Sequence, residues 1–127
     1  MATFDYLELA DFLEIGKAII ADIQVKDIGL LESAAARPQT TIFGTDAYET
    51  FEEKAAALLH SIARNPSLVD GNKRLAWVAT RTFCLLNGYD IIYRTDSAVE
   101  MVIETAKGKY DVDQLAHILK IFKVVSD

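Results

Sequence analysis

The stretch that most constrains this chain is NPSLVDG, residues 65–71, which separates two long apolar segments of helical character. Proline disfavours the helical conformation in the residue before it, so Asn65 is pushed toward an extended shape and the preceding helix stops near Arg64. That helix starts at Thr50, because Thr50 and Glu53 match a capping box. Phe51, Ala55, Leu58, Leu59 and Ile62 give it one apolar face. After the loop, KRLAWVATRTFCLLNG carries Leu75, Val78, Thr82, Leu85 and Leu86 as one stripe, while Trp77, Ala79 and Phe83 make other sides apolar too. A helix apolar nearly all round is expected to be the central, buried one. Gly88, after Asn87, is its expected C-terminal cap.

The remaining segments extend this helical pattern. Residues 7–22 place Leu9, Phe12, Leu13 and Ile20 at helical spacing, with Gly16 on the same face, where a neighbouring helix could pack close. Asp27 can cap a short helix over GLLESAAAR that Pro38 ends. Residues 38–48, PQTTIFGTDAY, suit a short extended segment with a turn at Gly44; both an exposed flap and a surface loop packed on the core fit them. YDIIYRTD is a short strand or an extended link. Ser97 with Glu100 is a second capping box, opening SAVEMVIETAKG. Asp111 can cap a last helix, VDQLAHILKIFKVV, with Leu115, Ile118, Leu119 and Phe122 facing inward. The expected class is all-α with room for a small β-hairpin.

At 127 residues the chain is expected to form one domain, 1–127, large enough for an ordinary core. Its single cysteine, Cys84, cannot form an internal disulfide and lies in an apolar run, so a core role and a cytoplasmic location are favoured over a nucleophile in a secreted fold. No stretch approaches the ~20 apolar residues that span a membrane. The N-terminus has acids where a signal peptide has a basic start. A net charge of −6 argues against an extended nucleic-acid surface; the densest basic cluster is Arg64, Lys73 and Arg74.

That cluster falls at a helix start. The first N–H groups of a helix lack internal partners and point outward along the positive end of its dipole. Gly71 lets backbone approach an anion, Asn72 can hold the turn, and Lys73 and Arg74 add full charges, which together make a phosphate cradle. Asp70 is a hard oxygen ligand suited to a magnesium ion (Mg) bridging phosphates. A tight DG turn with two solvated basic residues fits the same spacing. A helix-turn-helix reading DNA fits poorly, because the chain is acidic and the following helix too apolar to lie in a groove.

The order of helix, loop, DGNKR and apolar helix resembles the Fic/Doc superfamily, and within it the Doc (death on curing) toxins, whose motif has the form HxFxDxNKR. Here the aligned residues are Pro66, Ser67, Leu68, Val69, Asp70, Gly71, Asn72, Lys73 and Arg74. DIGLLESAAARPQ, the Thr50–Lys54 helix start and LLHSIARN also look like Doc proteins, so the resemblance runs from about residue 7 to 123. It implies a compact helical fold with the motif loop between two central helices. It implies a toxin, held by a cognate antitoxin, that transfers the γ-phosphate of ATP to a threonine of elongation factor Tu and stops translation. Lys73, where Fic proteins have glycine, favours phosphoryl transfer over AMP transfer. Asp70 would take the metal role and Asn72 the loop-shaping role. The Gly71–Arg74 amides with Lys73 and Arg74 would form the anion hole. Arg64 looks like an arginine that Doc proteins aim at phosphate, and equally like a helix-end residue favoured by the dipole. Residues 38–48 would be the edge where a target docks.

The motif breaks at its first position. The family's histidine takes the proton from the target hydroxyl, and this chain has Pro66 there, with no side-chain base and a fixed φ. Leu68 replaces the family's aromatic and can still anchor the loop. His60, about one and a half turns upstream of Pro66, is expected beside Arg64 rather than at the loop mouth, and His117 at the polar edge of the last helix. The expectation is therefore a copy that binds Mg-ATP with impaired transfer. A catalytically dead antitoxin-binding module and a protein adenylyltransferase are the alternatives.

Overall fold

The computed structural model describes residues 3–124. In chain order these form α1 (Leu9–Ile19), α2 (Ile28–Ala36), a 3-10 turn (Arg37–Gln39), β1 (Thr41–Ile42), β2 (Thr45–Asp46), α3 (Phe51–Arg64), α4 (Asn72–Leu86), β3 (Tyr89–Ile92), α5 (Thr95–Ala106), α6 (Val112–Ile118) and β4 (Lys120–Lys123). The fold is mostly helical, with two antiparallel strand pairs, β1–β2 and β3–β4.

The hub is α3. Thr50 caps it by accepting from the Glu53 N–H at 3.1 Å, and every residue from Lys54 to Leu59 is buried. Three consecutive alanines, Ala55–Ala57, leave room for α4, α5, α6 and α2 to close on it from several sides. The centre expected for α4 thus belongs to α3. The stripe that α4 buries is Leu75, Ala76, Ala79, Thr80, Phe83 and Cys84, and Leu85 and Leu86 are half exposed. Small residues allow the close approach to α3, which a stripe of leucines would have held off. Phe51, at the start of α3, stacks on Phe83 and Tyr89 with ring centroids 5.0 and 4.3 Å away, which ties α4 and β3 to the hub.

Three other expectations change. The first helix ends at Ile19 rather than Asp22, and Gly16 makes room for Ile23, on the chain returning from α1, and not for a neighbouring helix. Ser97 does not open a helix: α5 begins at Thr95 with Arg94 as its extended N-cap and no side-chain cap, because β3 delivers the chain straight into the first turn. The last helix stops at Ile118. Residues 120–123 instead pair with β3 in the register Tyr89↔Lys123 to Ile92↔Lys120, and the Val124 N–H continues the ladder to the Gly88 carbonyl at 2.8 Å. Leu115 and Leu119 are buried as expected, but Ile118 is 38% and Phe122 43% exposed. A short apolar run fits both periods, and an unpaired β3 edge with Ile121 and Val124 to offer decided for the strand. Val125 of the expected helix lies outside the described residues.

Candidate functional site

The loop between α3 and α4 is shaped from inside. The α3 helix ends with Asn65 at φ −117°, ψ 86°, out of the helical region that a following proline disfavours. From the first turn of α4 the Asn72 side chain reaches back. Its Oδ1 accepts from the Ser67 and Leu68 N–H groups at 3.1 and 2.9 Å, and its Nδ2 donates to the Leu68 carbonyl at 2.9 Å. Leu68 is buried and anchors the loop. The segment after α1 holds the other side: Lys26 and Asp27 donate to the Ser67 carbonyl, and Val69 donates to the Gln24 carbonyl, all at 2.9–3.1 Å. Gly71 is the N-cap of α4 at φ +92°, and a side chain there would also run into Ile20.

Asp70 to Arg74 form one end of a cavity of about 570 Å³. The N–H groups of Asn72, Lys73 and Arg74 lie in the first turn of α4 and have no partner within the helix. The Gly71 N–H is engaged by the Asp70 carboxylate at 2.9 Å. Lys73 is exposed at the mouth. Arg74 lines the cavity, and its Nη1 donates to the Ile19 carbonyl, 3.3 Å away, at the end of α1. The other walls went unnoticed in the sequence: Trp77 from the next turn of α4, Tyr93 after β3, and Ala98, Val99, Val102 and Ile103 from α5. Trp77 and Tyr93 meet edge to face at 4.9 Å. The spacing held a signal, since Trp77 is three residues from Arg74 and four from Lys73 and so shares their face.

The donor set fits a magnesium ion shared with phosphate. Asp70 offers one carboxylate with an oxygen free of the Gly71 contact, and among the described residues no cluster of three His, Cys, Asp or Glu could cage a metal without a ligand's help. Magnesium needs only one or two carboxylates when phosphates and waters complete its shell.

Arg64, His60 and Pro66 stand outside this cavity. The Arg64 Nη1 donates to the Ala106 carbonyl at 2.9 Å, so its guanidinium sits on the C-terminal end of α5 beside Gly108. Pro66 is exposed on the loop. His60 meets Arg37 instead, with Nδ1 2.8 Å from the Arg37 Nη1. His117 is exposed on α6, its Nδ1 2.8 Å from the Asp113 carbonyl. Cys84 is buried, and burial pushes its thiol up to about 12, which suits a core residue and not a nucleophile.

Residues 41–46 form an exposed hairpin, which decides between the flap and the packed loop. Phe43 and Gly44 make its tip with φ of 52° and 79°, and Phe43 is fully exposed. Two cations hang this flap on the core. Lys54, only 2% exposed, pairs with Asp46 at 3.2 Å and also bonds the Tyr48 carbonyl. The Arg37 Nε donates to the Tyr48 hydroxyl at 3.0 Å.

Residues 6–84, which span the flap, α3 and the motif loop, match the Fic/DOC family. The chain belongs to that family. Within it, the chain is 45% identical over 115 residues, 88% of each protein, to Toxin Doc of Mycolicibacterium smegmatis. That likeness is to the Doc branch, as the lysine in GNKR implied.

Proposed function

We propose that the chain is a Doc-type toxin that binds Mg-ATP in the α4 cavity and transfers the γ-phosphate to a threonine of elongation factor Tu, blocking translation in the cytoplasm until an antitoxin captures it. The observation that carries this reading is the cavity itself, with helix-start amides, Lys73 and one carboxylate at one end and an aromatic and aliphatic wall at the other. A nucleotide has the same division, an anionic tail and a flat apolar base. The amides of residues 72–74 and Lys73 would hold the tail and offset charge that grows during transfer. Asp70 would hold magnesium, which when bound supplies charge neutralisation between phosphates.

With Asp70 given to magnesium, the loop has no side chain left at position 66 to take the proton of the acceptor hydroxyl. Pro66 stands where the family has histidine, and both imidazoles of this chain face elsewhere. Loss of such a base costs ~10²–10⁴ in rate, about 3–5.5 kcal/mol of barrier, while positioning survives. This copy therefore binds nucleotide and transfers slowly. The test is a labelled-ATP assay on elongation factor Tu with the chain as it stands and with Pro66→His. Transfer should rise by ~10²–10⁴ in the variant; a folded Pro66→His protein that binds ATP and transfers nothing would refute the assignment. Mass spectrometry of the product separates added phosphate from added AMP.

The missing base also favours a second reading, an antitoxin-binding module without transfer chemistry. Calorimetry decides between them, because that reading predicts no ATP binding and a stable complex with the protein encoded beside it.

A further inference from the structure

Sharing no lining residue with the nucleotide cavity is a second, shallower cleft, also of about 570 Å³. It is lined by Ser33, Arg37, Thr40, His60, Ser61 and Asn65, with Ala36 at its edge. Every lining side chain but one is polar, and its one full charge is the Arg37 guanidinium. Arg37 is held by neutral groups alone: Nε donates to the Tyr48 hydroxyl, and Nη1 to His60 Nδ1 at 2.8 Å and Ser61 Oγ at 3.0 Å. The remaining nitrogen, Nη2, is given to none of them, and among the described residues no carboxylate forms an ion pair with this arginine.

A half-buried guanidinium is ordinarily matched by an anion, because its desolvation is otherwise unrepaid. Here the surroundings reinforce the deficit. Arginine can only donate, so His60 Nδ1 accepts and the ring proton sits on Nε2, a second donor. Burial first, then Arg37 and Arg64, hold His60 neutral against the weaker pull of Asp111. Asp111 itself is occupied with the Gln114 N–H at 2.8 Å, capping α6. Hydroxyls of Ser33, Thr40 and Ser61 complete a ring of groups able to donate.

We propose that this cleft binds an oxyanion, and that its occupant is the carboxylate of an acidic side chain in the protein that is modified. The source follows from position and rests on the reading under "Proposed function". Thr40 is where the flap leaves the core, Tyr48 is where it returns, and Asn65 is the neighbour of Pro66. A segment laid along the flap toward position 66 passes this cleft, whereas nucleotide phosphates have their own cavity, which shares no lining residue with it. Arg37 thus acts twice, bracing the flap through Tyr48 and reading a carboxylate beside the acceptor residue.

The test follows the His60 ring resonances of the full chain by NMR during titration with N-acetylglutamine amide, N-acetylglutamate amide and inorganic phosphate. A saturable shift with the glutamate compound and none with the glutamine compound is expected, with phosphate competing for the same signal. Arg37→Gln should weaken that response by on the order of tenfold to a hundredfold, leaving ATP affinity unchanged. No saturable shift, an equal shift with the glutamine compound, or saturation by phosphate but not by the glutamate compound would overturn the proposal. The unmodified chain with its neutral control decides this even if Arg37→Gln fails to fold. None of these readouts needs transfer, so the absence of transfer by Pro66→His and the absence of anion binding are separate failures.

Discussion

The motif loop and the flap are fixed by opposite means. The loop is drawn inward by Asn72, three bonds from one side chain to the backbone of residues 67 and 68, and by three backbone hydrogen bonds with residues 24–27. The flap touches the core through two charged side chains, Lys54 and Arg37, and pairs only two residues with two. A backbone clamp sets positions to a fraction of an ångström; long side chains leave a hinge. A group that must hold a phosphate needs the first arrangement, and an edge that must accept a partner tolerates the second.

Removing the clamp should have the largest effect. Asn72→Ala leaves two N–H groups and a carbonyl without their partner and should cost roughly 2–3 kcal/mol of stability, with ATP binding lost, as denaturant titration and calorimetry would register. Lys54→Met tests the other region. A methionine fills the space of the lysine stem and Asp46 is already 56% exposed, so global stability should shift by only about 1 kcal/mol. Amide exchange should nevertheless quicken across residues 41–46, and an unchanged exchange pattern would show the flap needs no hook. Next is Phe43→Asn, which relieves a left-handed conformation that an aromatic residue adopts at a cost of about 1 kcal/mol. It should stabilise the fold by up to that amount while raising KM for the target and not for ATP. A gain in stability without the KM change would mean the tip does not dock.

The smallest effect is that of pH on His60. Its folded value lies below 6.5, so the unfolded chain takes up the proton first. The contribution is therefore fully present above pH 6.5 and is lost as pH falls through the lower folded value. Melts above and below pH 6.5 should show this decline in the parent and less of it in His60→Gln.

Much of the loop was legible because its parts are neighbours in sequence. Pro66 fixes Asn65, Asp70 bonds Gly71, and Asn72 reaches four and five residues back, so DGNKR could be given roles before any packing was known. Arg37 and Lys54 were not legible as flap supports. Lys54 sits three residues after Phe51 and four before Leu58, on the apolar face of its helix, which was the available signal. Arg37 meets His60 across 23 residues, and no local pattern announces such a contact. The same distance effect turned the expected end of the last helix into β4, since β3, some thirty residues earlier, supplied a partner that no local window contains. Ser97 failed for a different reason: a capping pattern is short enough to arise within a helix that has already begun.

Asn72 grips residues 67 and 68, and Pro66 is exposed, so beyond ending α3 the residue at position 66 leaves the shape of the loop to Asn72. Chemistry at that spot is detachable. On the proposed function, one codon would silence the chain and another restore it with the cavity at the start of α4 left standing, and a silenced copy would compete with an active sibling for whatever holds it in check.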